Sequence, residues 1–261
     1  MSTNTTTTGC IKTAAACIIG DEILSGKTRD TNTNFLAKYL FDLGIDLRRV
    51  EVIPDVEEDI VETVTRLSRK FDVVFTSGGI GPTHDDITYS SIATAYGDTV
   101  EYHEDTMRRM LRISPHLELT EARKRMALLP SRSEVFFPSE EFWVPLAVVN
   151  QNIHILPGVP RIFQQLLTDF RPQFETLASG QKFHRKLVGT MWAESKIAKI
   201  LRDAQEELGE RAKIGSYPKW NNSKVNVVIS FVGKDEGLLE EYAKKIALLV
   251  DGFEITEEHD A

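Results

Sequence analysis

Apolar and polar positions alternate in two rhythms along the first two-thirds of the chain. Short apolar runs at 14–19, 45–52 and 71–75 have the length and β-branched content of buried strands. Between them the spacing turns helical. Phe35, Leu36, Tyr39, Leu40 and Leu43 recur on one face, and Gly44 supplies a stop. Val56, Ile60, Val61, Val64 and Leu67 mark a second helix over 56–70. Asp55 with Glu58 three residues on fits a capping-box arrangement at its start. A third helix follows the loop after Phe75 and ends at Gly97. Residues 103–129 are charged and helical, broken at Pro115. Met107, Met110, Leu111, Met126, Leu128 and Leu129 read as packing positions. Short strands follow near 135–137, 147–149 and 153–156, the last leading into Pro157-Gly158-Val159-Pro160 and another helix. This order predicts an α/β domain over 13–171, a doubly wound, mainly parallel sheet with right-handed crossovers.

Between 172 and 180 the pattern changes. Residues 181–255 read as β–α–β–β–α, with elements at 183–189, 193–208, 212–217, 224–232 and 236–250, a small α+β domain. Residues 1–12 are Ser/Thr-rich at their start and are expected to form a disordered tail. They lack the basic and apolar segments of a signal peptide.

Composition narrows the function classes. Of 261 residues, 41% are hydrophobic and 27% charged, enough for a substantial core. A net charge of −8 argues against a general nucleic-acid surface. No apolar run approaches the roughly 20 residues of a membrane span. The two cysteines, Cys10 and Cys17, make neither a structural disulfide nor a zinc set, and the six histidines are scattered. A reducing cytoplasm is the default compartment.

The chemistry concentrates at two strand ends. After the run at 71–75 comes Thr76-Ser77-Gly78-Gly79-Ile80-Gly81-Pro82-Thr83-His84-Asp85-Asp86-Ile87-Thr88. Three glycines in four residues let a backbone approach a ligand closely, and free N–H groups in such a turn cradle phosphate. Two carboxylates beside a phosphate repel it unless a divalent cation bridges them. The pattern points to a metal-assisted phosphate site, against the plainer reading of a tight turn with Asp85 or Asp86 as helix N-cap. The first strand ends the same way, in Gly20-Asp21-Glu22-Ile23-Leu24-Ser25-Gly26 followed by Asp30-Thr31-Asn32. Loops at the carboxyl ends of parallel strands form the ligand crevice, so both loops are expected to face one site.

Gly20-Asp21-Glu22-Ile23-Leu24 with Asp30-Thr31-Asn32, the Ser77-to-Thr88 segment, and Leu156-Pro157-Gly158-Val159-Pro160 together resemble the molybdopterin-binding fold family. That family includes MogA/MoaB-like proteins, the N-terminal half of CinA and the N-terminal domain of eukaryotic FAD synthase. The resemblance covers about residues 14–170. It extends more weakly to Ile214-Gly215-Ser216-Tyr217-Pro218, a feature of the CinA and FAD synthase branch.

The resemblance implies one of two activities on an adenosine phosphate beside a cation. The CinA-like and FAD-synthase-like branch looks like a diphosphatase of ADP-ribose or FAD, and the MogA-like branch adenylylates molybdopterin. Asp85, where MogA-like chains carry Arg, and the second domain favour the diphosphatase. A non-catalytic nucleotide- or pterin-binding module is the third alternative. CinA normally carries an amidohydrolase domain and FAD synthase a transferase domain. Neither is found up to Ala261, so synthesis of FAD is not expected from this chain.

Roles follow by position. Asp86 and Asp85 are expected to hold the cation, with Asp21 and Glu22 facing the same crevice. The cation is Mg2+ in the first instance, with Co2+ or Mn2+ as alternatives, because hard cations take oxygen ligands and keep several waters. Asp55 matches a functional aspartate of the MogA-like pattern, although its capping role is equally good. Gly78, Gly79 and Gly81 present N–H groups to the pyrophosphate, and Thr83 and Thr88 add hydroxyls. Asp30 and Asn32 either bind substrate or brace the loop, and Gly158 shapes a loop against the ligand. Ser216, Tyr217 and Lys219 are candidate substrate contacts in the second domain. The family commonly forms dimers or trimers, so a homo-oligomer is expected, with a small dinucleotide as ligand and no nucleic-acid or membrane partner.

Overall fold

The computed structural model describes residues 10–255, Leu117 excepted. The chain divides into two compact units, Met1–Gly180 and Gln181–Ala261.

The first unit contains β1 (Thr13–Ile19), α1 (Asp21–Leu24), α2 (Asn32–Leu43), β2 (Asp46–Ile53), α3 (Glu57–Lys70), β3 (Val73–Ser77) and α4 (Thr88–Ala95). There follow β4 (Val100–Tyr102), α5 (Glu104–Ile113), α6 (Glu121–Arg125), β5 (Leu128–Pro130), β6 (Glu134–Phe136), β7 (Leu146–Val149), β8 (Ile153–Leu156), α7 (Pro160–Asp169) and α8 (Arg171–Leu177). A six-stranded sheet runs in the order β2-β1-β3-β8-β7-β6. Its β2, β1, β3 and β8 are parallel, while β7 and β6 are antiparallel additions. The departure from an all-parallel sheet has a local cause. Only Asn150–Asn152 separates β7 from β8, too short for a crossover, and Asn150 and Gln151 take the positive φ of a hairpin turn.

The sheet is covered on both faces. Ala14, Ala16 and Ile18 pack with α2 and α7 residues Leu36, Leu40, Phe163 and Leu167. The alternate residues Ala15, Cys17 and Ile19 pack with Ile60, Val64, Leu67 and Ile92 of α3 and α4. Burial pushes the Cys17 thiol up to about 12, so it is a small apolar core residue. Within 103–129, Met110 and Leu129 are buried as expected, but Leu111 is exposed. Leu128 and Leu129 belong to β5, paired with β4, rather than to a helix.

Of the expected tail, residues 1–9 lie outside the described residues. Ile11 and Lys12 do not behave as a tail. The Ile11 N–H donates to the Leu177 carbonyl (2.8 Å), its side chain is buried, and Lys12 N donates to Asp72 Oδ2 (2.9 Å).

The second unit contains β9 (His184–Thr190), α9 (Glu194–Leu208), a 3-10 turn at Gly209–Arg211, β10 (Ala212–Pro218), β11 (Val227–Gly233), α10 (Glu236–Leu249) and β12 (Gly252–Ile255). Its antiparallel sheet runs β10-β11-β9-β12. Val188, Ile229 and Phe231 pack with Ile197 and Leu208 of α9 and Leu239 and Ile246 of α10. The sequence reading missed β12, four residues with only Phe253 and Ile255 to mark them. Among the described residues no helix is long and apolar enough to cross a membrane.

Candidate functional site

Strand register brings the loops together. Ile19 pairs with Ile53, Ile18 with Ser77, and Ser77 with Leu156, so β1, β2, β3 and β8 end at one edge. The loops at 20–32, 54–56, 78–87 and 157–159 leave the sheet side by side. Backbone hydrogen bonds join them: Gly20 N donates to Ile53 O (3.1 Å) and Gly78 N to Leu156 O (3.2 Å).

Two glycines are required by the geometry. Gly78 has φ +113° and Gly79 φ +65°. A Cβ on Gly78 would lie 2.1 Å from the Ile19 carbonyl oxygen, and one on Gly79 would lie 2.2 Å from Thr88 Oγ1. The loop is therefore folded against β1 on one side and α4 on the other. Buried Thr88 fixes it from beneath, donating its hydroxyl to Gly78 O (3.0 Å) and its N–H to Gly79 O (2.9 Å). Gly158 closes over the top, its absent Cβ only 3.3 Å from Gly78 Cα.

Asp86 closes the same loop on itself. Its Oδ1 accepts from Gly81 N (2.6 Å), and its Oδ2 from Thr83 N (2.9 Å) and Thr83 Oγ1 (2.6 Å). The carboxylate expected to hold a cation is thus occupied as a brace, and Gly81 and Thr83 turn their N–H groups toward it. Neither Asp85 nor Asp86 caps α4, whose N-cap is Ile87 with no side-chain bond. Asp85 is exposed. The Thr83 hydroxyl and its own backbone N–H hold its carboxyl below the usual range, with the charges of His84 and Arg125 adding to this.

Asp55 does not cap α3. The helix starts after Val56, an extended residue, and makes no side-chain cap bond. Asp55 instead turns across the strand ends and accepts from Asp21 N (3.0 Å), tying the loop of β2 to that of β1. A Cβ on Gly79 would fall 3.4 Å from its Oδ1, so it lies against the glycine loop. Burial pushes the Asp55 carboxyl up. The Asp21 N–H opposes this, and the negative charges of Asp21, Glu22 and Asp85 reinforce it. The charges of three carboxylates, from the loops after β1 and β3, thus bear on Asp55.

Asp30 and Asn32 are braces. Asp30 accepts from Thr33 N (3.0 Å) and from the Thr33 hydroxyl, opening α2. Asn32, only 5% exposed, donates its amide to Ser77 Oγ (2.9 Å) and Gly158 O (2.9 Å), while its Oδ1 is enclosed without a partner. His84 is fully solvated apart from a distant approach to Asp85 (3.9 Å). The sequence reading passed over Arg125, whose Nη2 donates to Asp86 O (3.2 Å) from 39 residues away. No periodicity or local motif could have linked the two.

The carboxylate oxygens of Asp21, Glu22, Asp55 and Asp85 are the hard donors that a divalent ion takes, and the negative charges of the other three bear on Asp55. Among the described residues no three His, Cys, Asp or Glu side chains stand close enough to hold a metal ion by themselves. A cation here would take most of its ligands from water or from a bound phosphate.

In the second unit the expected substrate contacts do not gather at one point. Ser216 donates its hydroxyl to Glu194 Oε1, at a cleft of about 400 Å3 also lined by Leu201, Arg202, Gln205 and Ile214. Tyr217 is 56% exposed with its ring across Gly215, and Trp220 is 90% exposed. Lys219 N donates to Asn226 O (2.8 Å) and carries no side-chain partner among the described residues.

Comparison with known proteins agrees with the two units. Residues 15–176 match the family described as "Probable molybdopterin binding domain", and residues 182–257 match "FAD synthase, middle domain". A "Probable FAD synthase" of Caenorhabditis elegans is 29% identical, aligned over 92% of this chain and 50% of its own length. The chain thus spans about half of that relative. A protein of Pyrococcus horikoshii is 34% identical over 84% of this chain and 88% of its own length. The crystal structure of CinA from Thermoplasma acidophilum superposes with a TM-score of 0.58 at 29% identity, covering 63% of this chain and 98% of that one. With its strand-end loops, its sheet order and a family match over more than half its length, the chain belongs to the molybdopterin-binding domain family, in the company of CinA and the FAD synthases.

Proposed function

We propose that the chain hydrolyses the pyrophosphate bond of an adenine dinucleotide such as FAD, giving FMN and AMP, or ADP-ribose, with the help of a divalent cation. One observation carries this reading: a tightly braced glycine loop lies against Asp55, whose carboxyl is pushed up by burial and by the negative charges of Asp21, Glu22 and Asp85. A cradle alone suits any phosphate binder. Acids gathered beside it make sense where a cation and a diphosphate arrive together.

The residues divide the work. Gly78 and Gly79 let the backbone reach the diphosphate, held by Thr88, Asp86, Asn32 and Gly158. Asp85, Asp21 and Glu22 receive the cation. When bound, the cation supplies neutralising charge and Lewis-acid polarisation of a phosphoryl oxygen. Asp55, with its carboxyl pushed up and its position against Gly79, is the side chain best suited to take a proton from attacking water. Hydrolysis breaks one P–O bond of the diphosphate. The water oxygen goes to one phosphate and the departing phosphate leaves on the bridging oxygen.

Molybdopterin adenylylation is the second reading, favoured by the family match over residues 15–176. The two separate by product. Purified protein with FAD, ADP-ribose and ATP plus molybdopterin, each with Mg2+, Mn2+ or Co2+, is expected to release AMP from a dinucleotide. Transfer of AMP to the pterin with no dinucleotide cleavage would replace the first reading by the second. Ligand binding without turnover would leave a non-catalytic module.

A further inference from the structure

Arg125 ends α6, on the stretch that returns toward β5, and its side chain reaches the glycine loop from outside. The guanidinium is only partly satisfied. Nη2 donates to Asp86 O (3.2 Å), Nε is enclosed without a partner, and Nη1 has no hydrogen-bond partner among the described residues. No carboxylate among the described residues lies within ion-pair distance of it, whereas ten of the unit's seventeen other arginines and lysines are paired, Arg66, Arg132 and Arg171 among them. Its charge nonetheless acts on Asp85, at the mouth of the loop.

An arginine anchored on a neutral carbonyl, with one N–H enclosed and unpaired and no carboxylate in ion-pair contact, leaves polar groups that a purely structural brace would satisfy. A neutral Gln would hold the Asp86 carbonyl at lower desolvation cost. The planar guanidinium offers parallel N–H donors that match a phosphate, and its anchor on the Asp86 carbonyl fixes it beside the loop. It also stands beside the glycine loop that follows β3.

We propose that Arg125 is a phosphate-contacting residue of this site: anchored on the Asp86 carbonyl, its guanidinium meets a non-bridging oxygen of a diphosphate seated on the Gly78–Gly81 loop. This rests on the reading of that loop as a diphosphate cradle. It assigns the anion's positive partner to a side chain rather than to the cation alone.

The test uses inorganic pyrophosphate with Mg2+ as the probe, so that binding is measured apart from turnover. Affinity is measured by calorimetry for the full chain and for Arg125→Met and Arg125→Lys, alongside melting temperature. Arg125→Met is expected to weaken binding about tenfold or more, the worth of a charge-assisted hydrogen bond, without a matching loss of melting temperature. Arg125→Lys should recover part of the affinity, and in Arg125→Ala, measured alongside, methylguanidinium should restore binding. Equal pyrophosphate affinity in wild type and Arg125→Met, including none in either, overturns the inference. So does an equal loss in Arg125→Met and Arg125→Lys that follows a fall in melting temperature, with no rescue by methylguanidinium. Arg125-dependent pyrophosphate binding without cleavage of any dinucleotide would uphold the inference and remove the hydrolase reading. Cleavage of FAD at equal kcat/KM in wild type and Arg125→Met would do the reverse.

Discussion

Asp55 and Asp86 exchanged the roles that their neighbourhood in sequence suggests. Asp55 stands three residues before Glu58, a helix-start pattern, yet it accepts from Asp21 N and faces other acids. Asp86 stands in an acidic pair expected to hold a cation, yet its oxygens meet Gly81 and Thr83. Local spacing shows which residue types are present but not which long-range donor wins a carboxylate. The two variants should behave in opposite ways. Asp55→Asn keeps the acceptor for Asp21 N and removes a charge. Its turnover should fall on the order of 10²–10³-fold, by analogy with loss of one electrostatic element in other active sites. Its stability should rise at neutral pH. A carboxyl whose folded pKa is raised contributes stability below its unfolded value, near 3.8, that is lost as pH rises through the folded value. Melting curves across pH should therefore show Asp55→Asn above wild type at pH 7, the gap closing in acid. Asp86→Asn places an amide N–H2 group against N–H donors and should lose about 1–3 kcal/mol, measured by chemical denaturation, together with activity.

At the scale of elements, the strands and helices around the site were legible because apolar period and breakers agreed. β1, α3 and β3 each lie within about two residues of their expected bounds, and α2 ends before Gly44 as expected. The region from 100 to 130 was not, since β4 and β5 are three-residue strands paired with each other, too short to carry a period. The loop geometry was legible only in part. Three glycines announced a close approach, whereas the clamp of Asn32 on Ser77 and Gly158 joins residues 45 and 126 positions apart. Asn32→Ala should free both strand-end loops and cost about 1–3 kcal/mol, with KM for a dinucleotide rising more than Tm alone accounts for. A fall in Tm with unchanged KM would confine Asn32 to stability. Another buried polar group gives a pH signature. His154 on β8 is enclosed by Phe75, Phe170 and Phe174, and burial pushes its pKa down to about 4. The unfolded chain takes up this proton first, so stability should decline as pH falls from about 6.5 to about 4, by roughly 3 kcal/mol at the lower end. His154→Phe should flatten that part of the curve in denaturation at stepped pH.

For the molecule as a whole, the change of pattern near residue 180 is also where the chain divides into two units. The second unit has its own core, closed by Val188, Phe231 and Leu239, and carries no glycine-and-acid loop comparable to that after β3. We expect it to contribute to substrate choice rather than to chemistry. Tyr217→Ala should raise KM or reorder FAD against ADP-ribose with a smaller effect on kcat, whereas equal losses on every substrate with a lower Tm would make Tyr217 a packing residue. Which ring a dinucleotide would carry beyond its adenosine diphosphate part was not legible in the sequence, because no motif there reads that moiety. The central claim is narrower, that the glycine cradle and the carboxylates beside it cut a dinucleotide pyrophosphate with a cation's help. Its most direct test is product analysis after wild-type protein and Asp55→Asn are incubated with FAD, with Mg2+ and with chelator. The account predicts FMN and AMP in equal amounts from wild type with Mg2+, and little from the chelated sample or from folded Asp55→Asn. Undiminished release of AMP by Asp55→Asn or in chelator, or no release from FAD or ADP-ribose under any cation, would contradict it.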